Sequence, residues 1–136
     1  MTEAEREAFI AGVHVAVLAV DHPGHGPLAL PIWYLWENGS IVMRIGDDSL
    51  KAKLLRAAGR ATLTVQDEAP PYKYVSVEGP VTVGREDREV LPLATRYLGP
   101  VQGAVYAEQD ADQSGVVTAW LTPERWRTID YSKMTG

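Results

Sequence analysis

"SIVMRIGDDSLKAKLLRAAGRATLTVQ", residues 40–66, packs a strand, a corner, a helix and a second strand into one run. Residues 40–46 are mostly apolar and suit a strand. Gly46, Asp47, Asp48 and Ser49 are turn and cap formers. From 49 to 58 the spacing is helical, with Leu50, Leu54 and Leu55 on one face and Lys51, Lys53 and Arg56 elsewhere. Residues 60–66 then alternate, Ala61, Leu63 and Val65 to one side and Arg60, Thr62, Thr64 and Gln66 to the other. A lone helix set between strands that otherwise follow one another favours a closed antiparallel barrel over a doubly wound sheet.

The flanks agree. Residues 2–11 predict a short helix with Thr2 as N-cap, Glu5 completing a capping box and Gly12 ending it. "VHVAVLAV", 13–20, is apolar on both faces, as a buried strand is, and "DHPGHGP", 21–27, is a turn. "LALPIWYLW", 28–36, reads as one strand, joined to the next by the hairpin signal Asn38-Gly39. "YKYVSVEGPVTVG", 72–84, is a long strand with Val75, Val77, Val81 and Val83 on one face, bent or bulged at Gly79-Pro80. Residues 86–98 have helical spacing despite Pro92, 99–113 give no clear element, and "SGVVTAWLT" and "RWRTIDY" read as two final strands. The expectation is one mainly β (α+β) domain over 1–136, with six or seven antiparallel strands and two or three short helices.

Composition narrows the function. At 136 residues, 46% of them hydrophobic, the chain can bury a core without metal or disulfide. It has no cysteine, which excludes disulfides, thiolate nucleophiles and cysteine-held metals. A net charge of -5 argues against nucleic acid as a partner. No apolar run approaches a membrane span and the acidic start is unlike a secretory signal, so a cytoplasmic protein is expected.

Few residues offer chemistry. Ser49 lacks a nucleophile-elbow pattern, His14 sits in a buried-looking strand, and His22 with His25 make only two ligands in a loop, so no metal site is expected. The corner is different. An N-cap is its ordinary reading, yet Lys51 is a cation in the first turn of a helix, where the macrodipole disfavours it. A bound phosphate would offset that repulsion, with Ser49 and Arg44 near by. Trp33, Tyr34, Trp36, Tyr72 and Tyr74 are candidates for a wall beside a flat ring.

The order of "PLALPIWYLWENGSIVMRI", "SLKAKLL", "GRATLTVQDE", "PPYKYVSVEGPV" and "LTPERWRTIDYSK" resembles the split-barrel flavin-binding family typified by pyridoxamine 5'-phosphate oxidase. The likeness is greatest to the small branch that binds flavin mononucleotide (FMN) or an 8-hydroxy-5-deazaflavin coenzyme. It implies a split β-barrel and a homodimer with the cofactor at the subunit boundary. It further implies an FMN-dependent oxidoreductase acting on a small molecule, with a deazaflavin-dependent reductase as second reading and a non-catalytic flavin or haem binder as third. Ser49 and Lys51 correspond to the phosphate-gripping pair, and Leu50 stands where many of the oxidases have arginine. Arg44, Ile45 and Gly46 hold the place of the strand end that faces the cofactor, and Tyr74 that of a ring-contacting glutamine. Trp33 completes the set of cofactor-binding candidates. No catalytic acid or base is identified.

Overall fold

The computed structural model describes residues 1–84, 90–110 and 115–134. Helix α1 (Glu3–Ala11) begins at the expected capping box: the Thr2 hydroxyl accepts from the Glu5 amide at 3.1 Å, and the Glu5 carboxylate accepts from the Thr2 amide at 3.0 Å. There follow β1 (Ala16–Val20), β2 (Leu28–Ile32), β3 (Leu35–Glu37), β4 (Ser40–Gly46), α2 (Leu50–Ala58), β5 (Arg60–Asp67), β6 (Lys73–Val83), α3 (Val90–Asp110), β7 (Val116–Leu121) and β8 (Arg125–Asp130), closed by a 3-10 turn at Tyr131–Met134. None of the described helices is long and apolar enough to cross a membrane.

The strands run β2-β1-β5-β6-β7-β4-β3, all neighbours antiparallel, with β8 also on β6. Strand β6 is the seam between two half-sheets. Its first part, Lys73–Glu78, lies between β5 and β8, while Val81–Val83 pairs with β7. The change of partner falls at Gly79-Pro80, the bend anticipated from the sequence. A β-carbon at Gly79 would lie 1.8 Å from the Thr122 carbonyl oxygen, so only glycine lets the β7–β8 turn sit this close. That turn is fixed by the Thr122 amide donating to Pro80 O at 3.0 Å and the Glu124 amide donating to Glu78 O at 2.9 Å.

Inside the barrel, Leu18, Ile41, Met43, Ile45, Leu63, Val65, Val75, Val77 and Leu121 meet Ile10 of α1 and Ala52, Leu54 and Leu55 of α2. Burying side chains of this size contributes about 1.5–3 kcal/mol each. Leu50 does not join them. It is 49% exposed, and Ala52 takes the inward place expected of it, because the first turn of α2 tilts Leu50 to solvent.

Three further expectations change. The 28–36 run is two strands: β2 pairs with β1, β3 pairs with β4, and the chain breaks at Trp33-Tyr34, which makes eight strands. Side chains replace the lost ladder there. The Tyr34 amide donates to the Tyr97 hydroxyl at 3.2 Å, and the buried Tyr34 hydroxyl donates to Ile10 O at 2.6 Å. The strand expected over 13–20 begins at Ala16, and Val13, Val15 and Val17 are exposed, since no described residue covers that outer face. Helix α3 runs on from 98 through the unassigned stretch, broken at Gly99 (φ 83°), with Pro100 opening its second half. The expected start of that helix at 86–89, and residues 111–113, lie outside the described residues.

Candidate functional site

The corner between β4 and α2 explains its own sequence. Ser49 is the N-cap, its hydroxyl accepting from the Ala52 amide at 3.1 Å and donating to Gly46 O at 2.7 Å. The cap reading of Ser49 therefore holds, and its hydroxyl proton is spent on Gly46. Asp47 is equally occupied: its amide donates to Gly115 O at 2.7 Å, and the Arg56 guanidinium donates to its carbonyl at 2.9 Å and to its carboxylate. With the Ser49 and Ala52 amides satisfied, those of Leu50 and Lys51 are the orphan donors of the first turn among the described residues.

Lys51 is the anomaly. It is half-buried, no carboxylate among the described residues pairs with it, and burial pushes its pKa below the ordinary lysine value. The helix dipole adds to the penalty. An anion received at this point would remove both costs. Beside the corner opens a cleft of about 790 Å³ lined by Asp47, Arg56, Val83, Gly115, Val116 and Val117.

The other candidates divide. Ile45 is 2% exposed and faces the barrel core, so its side chain is structural and its backbone is laddered to Val117. Arg44 points to the outer face of β4, where its guanidinium donates to both carboxylate oxygens of Asp110 at 2.9 and 3.4 Å. The two side chains are only 10% and 17% exposed. The charge expected to serve a phosphate is thus matched by Asp110. Across the ladder from Arg44 lies Thr118, fully buried, with no partner for its hydroxyl among the described residues.

Trp33 stacks on Tyr97, centroids 4.9 Å apart and planes within 6°, and meets Tyr106 at 5.5 Å. Tyr106 and Asp110 are one helical turn apart, so the end of α3 links Trp33 to Arg44. Tyr74 is half-buried on the outer face of the other half-sheet, between Gln66 and Ile129. The aromatic wall does not assemble: Tyr34 is buried, Trp36 packs edge-on against Trp126 at 6.0 Å, and Tyr72 is exposed. Gly46, Ser49, Leu50 and Lys51 come together; Arg44, on the same strand as Gly46, is held by Asp110, while Trp33 lies at the β2–β3 break and Tyr74 on β6. Sequence reasoning gave Tyr97, Tyr106 and Asp110 no part in the site; Tyr97 falls within the expected helix, and Gly99-Pro100 is a stop-and-start signal that would have placed Tyr106 and Asp110 on its continuation.

His14 donates through Nε2 to Phe9 O at 3.0 Å and stacks on Phe9, which satisfies it as a structural residue. His22 and His25 stack on each other at 4.1 Å. Among the described residues no group of three or more histidines and carboxylates is placed to hold a metal.

Comparison with solved structures gives the same architecture. A conserved hypothetical protein, Rv2991, from Mycobacterium tuberculosis superposes with a TM-score of 0.81 at 25% identity, covering 98% of this chain and 88% of that one. A FAD-binding protein from Mesorhizobium loti gives 0.68 at 15% identity, with 94% of each chain covered. An F420 reductase gives 0.66 at 18% identity, covering 89% of this chain and 94% of that one. No curated protein matches the sequence significantly. The family model for pyridoxamine 5'-phosphate oxidase spans residues 2–130, from the α1 cap to the end of β8. With the barrel, its β6 seam and the α2 plug all present, the chain belongs to the pyridoxamine 5'-phosphate oxidase family.

Proposed function

We propose that the chain binds FMN through its phosphate at the β4–α2 corner and works as an oxidoreductase on a small molecule. Lys51 carries this reading: a half-buried ammonium without a carboxylate partner among the described residues, at the start of a helix. The donor set suits a phosphate. Lys51 offers charge, and the Leu50 and Lys51 amides point out of the first turn. Ser49 contributes by holding that turn in place. The flavin would supply the hydride and electron chemistry, and the protein would supply binding and orientation.

A charge-assisted hydrogen bond contributes about 1.5–3 kcal/mol. Lys51→Ala is therefore expected to weaken FMN binding about ten- to a hundredfold, read by titration of the flavin fluorescence. An unchanged dissociation constant would remove Lys51 from the site and the reading with it.

The deazaflavin coenzyme is the second reading, supported by the F420 reductase built on this fold and by a corner with Leu50 where the oxidases have a further cation. A flavin or haem carrier without turnover is the third, since no side chain at the corner among the described residues is placed as acid or base. The visible spectrum of the purified protein separates the three, and anaerobic reduction followed by mixing with acceptors tests turnover. The active unit in this proposal is a homodimer with the cofactor at the boundary, which the exposed Val13, Val15 and Val17 support.

A further inference from the structure

We propose that Asp110, at the end of α3, is a specificity-determining residue of the phosphate corner, setting how strongly the site prefers a phosphorylated flavin to its dephosphorylated form. The inference rests on the FMN reading above. Arg44 and Gly46 lie on the same face of β4, because Ile41, Met43 and Ile45 between and beside them point into the core. They are two residues apart, about 7 Å along the strand, a distance an arginine side chain spans. The β-carbon direction of Gly46 in turn meets Ser49, the cap of α2, at 3.7 Å. An Arg44 turned along its strand would bring a second cation to the helix start that Lys51 occupies.

Asp110 holds it away. The carboxylate takes two guanidinium donors at 2.9 and 3.4 Å. The pair lies 10% and 17% exposed beside the fully buried Thr118, where solvent screens the charges weakly. Bidentate pairing also fixes the direction of the arginine fork. The carboxylate that holds Arg44 comes from a helix in which Tyr106, one turn earlier, packs on Trp33. Gly103 of the same helix lies so close to Thr95 that a β-carbon would come within 2.7 Å of its backbone. Asp110 is therefore carried on a braced element rather than a loose tail. With its negative charge in place the corner presents one uncompensated cation; without it, the field at the corner becomes more positive whatever else touches Arg44.

The test compares FMN with riboflavin, which differ only in the phosphate, as probes of the purified protein. Asp110→Asn keeps the shape and one acceptor oxygen for Arg44 while removing the charge. It is expected to tighten FMN binding about tenfold and leave riboflavin within about twofold. Adding Arg44→Met to Asp110→Asn should abolish the gain. Circular dichroism melting identifies any variant that fails to fold, and the double variant then carries the comparison: an FMN-to-riboflavin ratio equal to the wild type is expected, and a raised ratio overturns the assignment. If Lys51→Ala collapses the ratio but Asp110→Asn leaves it unchanged, the role of Asp110 is overturned and the phosphate corner stands. If neither variant moves the ratio, the corner itself is wrong and Asp110 falls with it.

Discussion

A single hydrogen replaced by a methyl at residue 79 would collide with a backbone oxygen. The 1.8 Å separation from Thr122 O involves main chain on both sides, so no side-chain rotation can relieve it. Gly79→Ala must move either β6 or the β7–β8 turn and is expected to cost about 3 kcal/mol or more, measured by urea denaturation. A cost under about 1 kcal/mol would mean that the turn does not sit on the bend. The sequence showed that Gly79-Pro80 interrupts a strand but could not show what comes so near, because the colliding atom lies more than forty residues away. Lys51 is the second residue whose role depends on distant neighbours. Its folded pKa lies below the 10.5 of a free lysine because burial disfavours the charged form. An anion binds that charged form, so FMN affinity is expected to fall as the pH rises through the lowered pKa, before 10.5 is reached. Dissociation constants measured against pH should show this fall in the wild type and lose it in Lys51→Ala.

Helix α1 shows an element that can be written almost completely from local sequence. Thr2, Glu5 and Gly12 all hold the cap positions read for them, since a capping box involves residues three apart and nothing remote. Thr2→Ala is expected to lower stability by about 1 kcal/mol. The Glu5 carboxylate is held down to about pKa 2, first by its hydrogen bond from Lys133 and then by those from Thr2. The folded pKa is thus below the ordinary 4.5, so the contribution is full above 4.5 and lost as the pH falls toward 2. Amide exchange in α1 should accelerate over that window relative to β5, and Glu5→Gln should flatten the response. Helix α3 and the β2–β3 break were less legible for the opposite reason. The Trp33-Tyr34 break is stabilised by Tyr97, whose hydroxyl donates to His14 O at 2.5 Å and receives the Tyr34 amide. A strand interrupted by a side chain sixty residues on carries no local mark of the interruption.

For the whole molecule, alternation reports which residues point inward but not whether the other side is covered. Residues 13–20 are apolar on both faces, which predicts a buried strand; in the single chain Val13, Val15 and Val17 are 58%, 55% and 43% exposed. They line a depression of about 680 Å³ with His14, Pro31, Thr64, Gln66 and Glu68 on the outer face of the β1–β5 half-sheet. The sequence is therefore consistent with burial only if something beyond the described residues supplies it, and a second copy of this barrel is the proposed cover. A stable pair needs roughly 800 Å² of surface from each partner, of which such a stripe would form the dry centre. Val17→Glu separates the cases. On an isolated barrel a half-exposed glutamate at this position would change stability by no more than about 0.5 kcal/mol. At the centre of an interface it would bring two unpaired charges out of water, one from each copy. Sedimentation equilibrium is expected to show a dimer for the wild type and a folded monomer for Val17→Glu; a monomeric wild type, or a variant that still pairs with unchanged affinity, would remove the β1 face from the assembly.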